Sequence, residues 1–126
     1  FTLQASSFAA VASQLMGIVH HYLYAFVATV VLELAVAVPV LAPGGTWPRR
    51  VAVAIVAQLA THPSVWFFWT LFDWPRPVYL VVAECFALVV ETLIYRLFFQ
   101  QLSWSRALAA SALANGASVL IGSFIQ

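Results

Sequence analysis

Three glutamates lie in stretches of this sequence that are otherwise almost entirely apolar. Glu33, Glu84 and Glu91 are each surrounded by Val, Leu, Ala and Phe. Placing an ionisable group at the centre of a membrane helix costs about 2.5–3.5 kcal/mol, so each group needs a partner or a function. A buried carboxyl group can exchange a proton or bind a cation, and it can also act only as a hydrogen-bonding group between helices.

His62 stands directly before Pro63 in another apolar run. Proline inside a helix frees a backbone carbonyl and kinks the helix. A histidine beside such a kink can ligate haem or chlorophyll, which makes His62 a candidate cofactor ligand. The alternative is a structural kink in which His62 hydrogen bonds to a carboxylate such as Glu84. Cys85, the single cysteine, is interpreted as a small packing residue, with a nucleophile paired with His62 as the alternative.

A stripe of small and polar residues runs along the last apolar stretch. It consists of Ser111, Asn115, Ser118 and Gly122, at i, i+4, i+7 and i+11. Such a stripe lies on one helix face and lets two helices approach closely. We therefore predict helix packing for this face, and Asn115 has the chemistry to donate a hydrogen bond to a buried glutamate.

The composition sets the environment in which these groups act. Of 126 residues, 64% are apolar and 7% are charged, and the mean hydropathy is +1.00. Soluble domains carry about 25% charged residues, so a soluble globule and a disordered chain are both excluded. The net charge of +1 provides no basic face for nucleic acid. The expected fold class is a single all-α integral membrane domain covering residues 1–126.

Prolines, glycines and arginines divide the chain into four predicted transmembrane helices. The crossings are predicted at about 22–41, 51–72, 78–99 and 104–125, each close to the ~20 residues that a bilayer requires. Ser103 is predicted to cap the last helix. Residues 1–21 carry no charge, and they either form a separate interfacial segment or extend the first helix outward.

The arginines predict the orientation of these helices. Arg49, Arg50, Arg96 and Arg106 lie at the first and third connections, whereas only Arg76 lies at the second. Cytoplasmic loops are enriched in Arg and Lys, so both termini are expected outside. Aromatic residues form two expected interfacial belts. The outer belt contains Tyr22, Tyr24, Trp66, Trp69, Trp74 and Tyr79, and the inner belt contains Trp47 and Trp104.

Depth along the predicted helices brings polar residues from all four to one level. At ~1.5 Å per residue, Glu33, Gln58 and Glu91 lie about 12 Å from the cytoplasmic ends of their helices. Ser111 and Asn115 lie at about 10 and 16 Å. The sequence therefore predicts a buried polar layer slightly on the cytoplasmic side of the membrane centre, with Glu84 and His62 as secondary polar residues.

Three functional hypotheses follow. The first is a subunit or assembly component of a larger membrane complex, because the connections are short and the HExxH, GxSxG and Walker A patterns are missing. The second is a homo-oligomeric transporter or channel in which Glu33 and Glu91 exchange protons or cations. The third is an intramembrane enzyme or a redox or pigment-binding subunit that uses His62, Cys85 and Glu84.

No catalytic residue and no metal site are predicted, and haem or chlorophyll at His62 is the one cofactor considered. The expected partners are lipid and either other membrane subunits or further copies of the chain. Many Arg, Ala and Trp residues without any Lys suggest a GC-rich bacterial genome and hence a bacterial inner membrane.

Overall fold

The structure is a computed structural model. It describes the backbone of residues 2–68 and 71–125 and the side chains of residues 7–68 and 71–124. The described residues form four long helices and no strand: α1 (Thr2–Val40), α2 (Trp47–Pro63), α3 (Arg76–Phe98) and α4 (Trp104–Ile125). The predicted all-α class and the four helices are confirmed, and each helix is long and apolar enough to cross a membrane. Trp69, assigned above to the outer belt, lies outside the described residues.

Helix α1 has 39 residues and is continuous from Thr2 to Val40. Residues 2–21 therefore extend the first helix and do not form a separate segment, which decides between the two alternatives. This stretch contains no charged residue and no proline, and its one glycine, Gly17, is isolated, so nothing in it ends a helix. Many of its apolar side chains are more than half exposed, among them Phe8, Val11, Leu15, Met16 and Ile18.

Proline, glycine and serine define one end of the bundle, where α1 joins α2 and α3 joins α4. A short 3-10 helix, Ala42–Gly44, follows α1, and Gly45 has a φ of 128°, a conformation that favours glycine. Ser103 accepts a hydrogen bond from the backbone N–H of Arg106 at 3.2 Å, which confirms it as the cap of α4. We call this end, with Arg49, Arg50, Arg96 and Arg106, the arginine end.

The opposite end contains residues 71–75, and we call it the turn end. Helix α2 stops at Pro63 and continues as a π-helical segment, Ser64–Phe68. Proline cannot donate the hydrogen bond that a regular α-helix requires, which explains the change of geometry. The Tyr79 hydroxyl donates to the backbone carbonyl of Val65 at 2.7 Å and so satisfies one carbonyl of this segment.

The four helices form an antiparallel bundle in which α1 and α3 each pack against both α2 and α4. The apolar core lies towards the arginine end and contains small residues between a few large ones. Its largest buried side chains are Leu41, Tyr95 and Phe99, which are 0% exposed. The outward faces are apolar along all four helices, as a lipid environment requires.

Candidate functional site: a carboxyl cluster between four helices

Glu91 of α3 lies at the centre of the bundle and accepts four hydrogen bonds. Its Oε1 accepts from Gln58 Nε2 at 3.3 Å and from Thr61 Oγ1 at 3.2 Å, both on α2. Its Oε2 accepts from Ser111 Oγ at 2.8 Å and from Asn115 Nδ2 at 2.6 Å, both on α4. Glu91 is 1% exposed, so these side chains replace the water that a carboxyl group would otherwise bind.

Glu33 of α1 joins the same network from the opposite side. Its Oε2 accepts from Gln58 Nε2, and its Oε1 accepts from Ser118 Oγ at 2.8 Å. Gln58 therefore bridges the two glutamates through one amide group. We name Glu33, Gln58, Thr61, Glu91, Ser111, Asn115 and Ser118 the carboxyl cluster; it links all four helices.

The two carboxyl groups differ in how many of their acceptor positions are filled. A carboxylate has about four lone-pair sites. Glu91 receives two donors on each oxygen, whereas Glu33 receives one on each. Glu91 is thus saturated with donors, and Glu33 keeps acceptor capacity for a further ligand.

A polar cavity of about 180 Å³ extends from the carboxyl cluster towards the turn end. The lining residues that the structure describes lie at the level of the cluster or on the turn-end side of it, including Thr29, Val65, Trp66, Glu84 and Val119. Water occupies about 30 Å³ per molecule in the liquid, so a cavity of this size accommodates several waters or a small ligand. On the arginine-end side, the cluster meets the apolar core.

His62 and Trp66 form the aromatic part of the cavity wall. The planes of their rings lie at an angle of 14°, and the ring centroids are 6.3 Å apart. The centroid of the His62 ring also lies 5.0 Å from that of Phe26. Among the described residues, His62 Nδ1 is buried without a hydrogen-bond partner. Tyr22 packs edge-on against Trp66 with ring centroids 5.3 Å apart, which fixes this wall against α1.

The structure thus brings Glu33, Gln58, Glu91, Ser111 and Asn115, the residues of the predicted polar layer, into one hydrogen-bonded cluster. Glu84 and His62 line the cavity beside it. Gly122 is separate, because a Cβ added there would meet nothing within 4 Å, and so no helix packs closely at that position. Cys85 is an exposed free thiol on the outside of α3, so it does not pack in the interior of the bundle.

Two cluster members were not assigned to the polar layer from the sequence. Thr61 was not among the candidate residues, and Ser118 was assigned only to helix packing. Thr61 follows Gln58 by three residues and Ser118 follows Asn115 by three, so each shares a helix face with a predicted member. This three-residue spacing was the sequence signal that could have identified Thr61 and Ser118 as cluster members.

The arginines at the arginine end bind backbone carbonyls. Arg50 donates to Val38 O at 2.7 Å and Arg49 to Phe98 O at 2.8 Å. Arg106 donates to Val40 O at 3.3 Å.

The described lining of the polar cavity includes no arginine. No group of three or more His, Cys, Asp or Glu suited to a metal ion occurs in the described part of the chain.

Comparison of the chain with known protein families, curated proteins and solved structures finds no match, so its function is argued from this site.

Proposed function

We propose that this protein is a membrane transporter or channel in which the Glu33–Glu91 pair exchanges a proton or another monovalent cation. The observation that carries the proposal is the polar cavity that ends on both carboxyl groups. A buried anion without a nearby cationic side chain is costly in a membrane, and an exchangeable cation offsets that cost. In keeping with the second hypothesis, the working form is a homo-oligomer.

Glu33 is the residue that first meets the exchanged cation in this mechanism. It lines the cavity and has two acceptor positions that no described side chain fills. His62, Trp66 and Glu84, which form the wall towards the turn end, are only half-buried and give the cation a route inward. Glu91 shares Gln58 with Glu33 and is the second carboxyl group of the exchanging pair.

With the orientation that the arginines favour, this route starts outside the cell. Both termini and residues 71–75 would face outside, and the arginine end would face the cytoplasm of a bacterial inner membrane. The cavity would then represent a state of the transport cycle that is open to the outside and closed by the apolar core on the cytoplasmic side.

Flux measurements in liposomes test this function. Purified protein is reconstituted, an ion gradient is imposed, and internal pH and sodium are followed with dyes. Removing a positioned proton-transferring group typically costs 10²–10⁴-fold in rate, so we expect Glu33→Gln to lower the flux by roughly a hundredfold. Asp73→Asn is the matched control, because it removes an exposed carboxyl group outside the cavity. Equal flux through E33Q and wild type would exclude the proposal.

A second candidate is a subunit of a larger membrane complex, and the exposed start of α1 favours it. A helix of 39 residues is about 58 Å long at 1.5 Å per residue, against a hydrocarbon thickness of about 30 Å. If residues 22–41 cross the membrane, the apolar segment before them needs a protein partner or the membrane surface to cover it.

Isolation from the native membrane in mild detergent, followed by mass spectrometry and visible absorption, tests the second candidate. Other chains in fixed stoichiometry, and their loss when residues 7–18 are made polar, would support a complex subunit. A homo-oligomer alone would exclude it. A pigment band that disappears in His62→Ala would instead support the third hypothesis, a pigment-binding or redox subunit.

A further inference from the structure

Tyr95, one helical turn after Glu91 on α3, carries a buried hydroxyl. Its side chain is 0% exposed, and its hydroxyl has no hydrogen-bond partner among the described residues. Tyr95 follows Glu91 by four residues on α3, so the two share a face. Helical side chains lean towards the start of their helix, which directs the Tyr95 ring back to the turn that carries Glu91.

An unpaired buried hydroxyl lowers stability, and phenylalanine would fill the same space without that cost. Tyr95 is therefore difficult to explain by packing alone. A hydroxyl that makes no hydrogen bond in one conformational state of a protein can make one in another state.

The hydrogen bonds of Glu91 indicate that this other state is the one in which Glu91 is protonated. In the structure both oxygens of Glu91 act as acceptors. When the group binds a proton, one oxygen becomes a donor and requires an acceptor. The amide nitrogens of Gln58 and Asn115 cannot accept a hydrogen bond, whereas hydroxyl oxygens can. Ser111 Oγ lies 2.8 Å from Glu91 Oε2 and already accepts from Asn115 at 3.2 Å, which leaves it one further acceptor position.

Two further hydroxyl groups can accept, and their positions on α2 and α3 place them on opposite sides of Glu91. Thr61 lines the polar cavity, and it can accept from Glu91 if its own proton is given to the Ala57 carbonyl, 3.1 Å away. Tyr95 belongs to the apolar core on the arginine-end side. Rotation of the Glu91 side chain would move its proton from the first acceptor to the second.

We propose that the exchanged species is a proton and that the Tyr95 hydroxyl accepts a hydrogen bond from protonated Glu91 on the side away from the cavity. This proposal rests on the function proposed above. Proton binding forms one O–H bond on Glu91, release breaks it and returns the proton to water, and the phenol keeps its own proton throughout. The four donors that surround both oxygens of Glu91 disfavour a metal ion at this group, because a metal ion requires free oxygen ligands.

The other titratable groups around Glu91 are few. Glu33 faces it from α1, His62 lines the same cavity from α2, and Glu84 lies two turns earlier on α3. Helix α4 contributes Ser111 and Asn115, which do not titrate.

Tyr95→Phe separates a functional role of the hydroxyl from a structural one. We expect proton flux to fall roughly tenfold, the effect of one lost hydrogen bond to the proton-bearing state, while thermal stability stays equal or rises. Tyr24→Phe, at an exposed tyrosine, is the matched control and should change neither quantity. A clear loss of stability in Y95F would overturn the proposal, because it would show that the hydroxyl is paired in the folded protein.

Infrared difference spectra between high and low pH give a readout that packing does not affect. The carboxylic acid band lost in Glu91→Gln should shift in frequency in Y95F, because the hydrogen bond of the protonated carboxyl group has changed. Normal flux and an unshifted band in Y95F, with flux lost in E33Q, would reject the role of Tyr95 and leave the proposed function intact. Normal flux in both variants would reject both proposals.

Discussion

The two halves of the bundle use the same four helices in opposite ways. Towards the arginine end, Leu41, Phe99 and Leu102 are at most 2% exposed, and arginines bind the backbone carbonyls at the ends of α1 and α3. Towards the turn end, α2 leaves α-helical geometry after Pro63, and a polar cavity separates the helices. The carboxyl cluster lies at the boundary between the halves.

This difference indicates that the two halves of the bundle have different roles. Carbonyls in the last turn of a helix have no partner within the helix, and a cation there also interacts favourably with the helix dipole. Arg49, Arg50 and Arg106 supply such partners to α1 and α3. Packing and capping hydrogen bonds therefore hold the arginine half rigid, and the cavity half is free to change shape.

The largest effect on stability is expected at Phe99. Its ring is fully buried, packs on Gly44 and lies 5.4 Å from the guanidinium carbon of Arg49. Phe99→Ala should lower the free energy of unfolding by about 3–5 kcal/mol, because it leaves a cavity in the rigid half. Unfolding in detergent of increasing denaturing strength measures this loss. Phe124→Ala, at an 87% exposed position, is the control, and an equal loss there would contradict the comparison.

A smaller effect is expected when the same contact is overfilled. A Cβ at Gly44 would lie 2.8 Å from the Phe99 ring, closer than packing allows. Gly44→Ala should therefore cost about 1–3 kcal/mol. Residues in contact are coupled, so in an F99A background the same change should cost much less. Additive losses in the double variant would show that Gly44 is sensitive for another reason.

Most helix ends could be predicted because they carry local signals, but α2 begins at Trp47, four residues before its predicted crossing, and ends at Pro63, inside it. Pro39, Pro48, Pro75 and Pro77 lie at or near helix ends, and α3 and α4 begin and end within two residues of the predicted crossings. The length of α1 was left open because residues 1–32 contain no charged residue and no proline. Pro63 predicted an interruption of α2, but the hydrogen bond from Tyr79 of another helix to the π-helical segment has no local signal.

The members of the carboxyl cluster could be grouped from the sequence because depth follows from residue counting in a straight helix. Counting does not give the rotation of each helix about its axis. The rotation of α2 brings Thr61 within hydrogen-bonding distance of Glu91. The rotation of α4 leaves open space beside Gly122. The unequal hydrogen bonding of Glu33 and Glu91 and the volume of the cavity likewise depend on side-chain packing, which a sequence pattern does not specify.

The unequal hydrogen bonding of the two glutamates predicts unequal effects on stability. Glu91→Gln places an amide N–H₂ among four donors and should cost about 1–2 kcal/mol. Glu33→Gln meets only two donors and should cost about 0.5 kcal/mol. Glu84→Gln, at the half-buried cavity wall, serves as the control for removing a carboxyl group. Equal losses for E91Q and E33Q would contradict the unequal hydrogen bonding of the two glutamates.

A similarly small effect on stability is expected at the Tyr79–Val65 hydrogen bond in the cavity half. Tyr79→Phe removes the partner of a π-segment carbonyl and should lower the free energy of unfolding by only about 0.5–1 kcal/mol. Its local effect should be larger, because residues 64–68 carry Trp66 of the cavity wall. Hydrogen exchange of the backbone amides of residues 64–68 should become faster, while amides of residues 92–98 keep their protection. Faster exchange in both segments would mean that the two halves open together, and that the arginine half does not provide an independent rigid base.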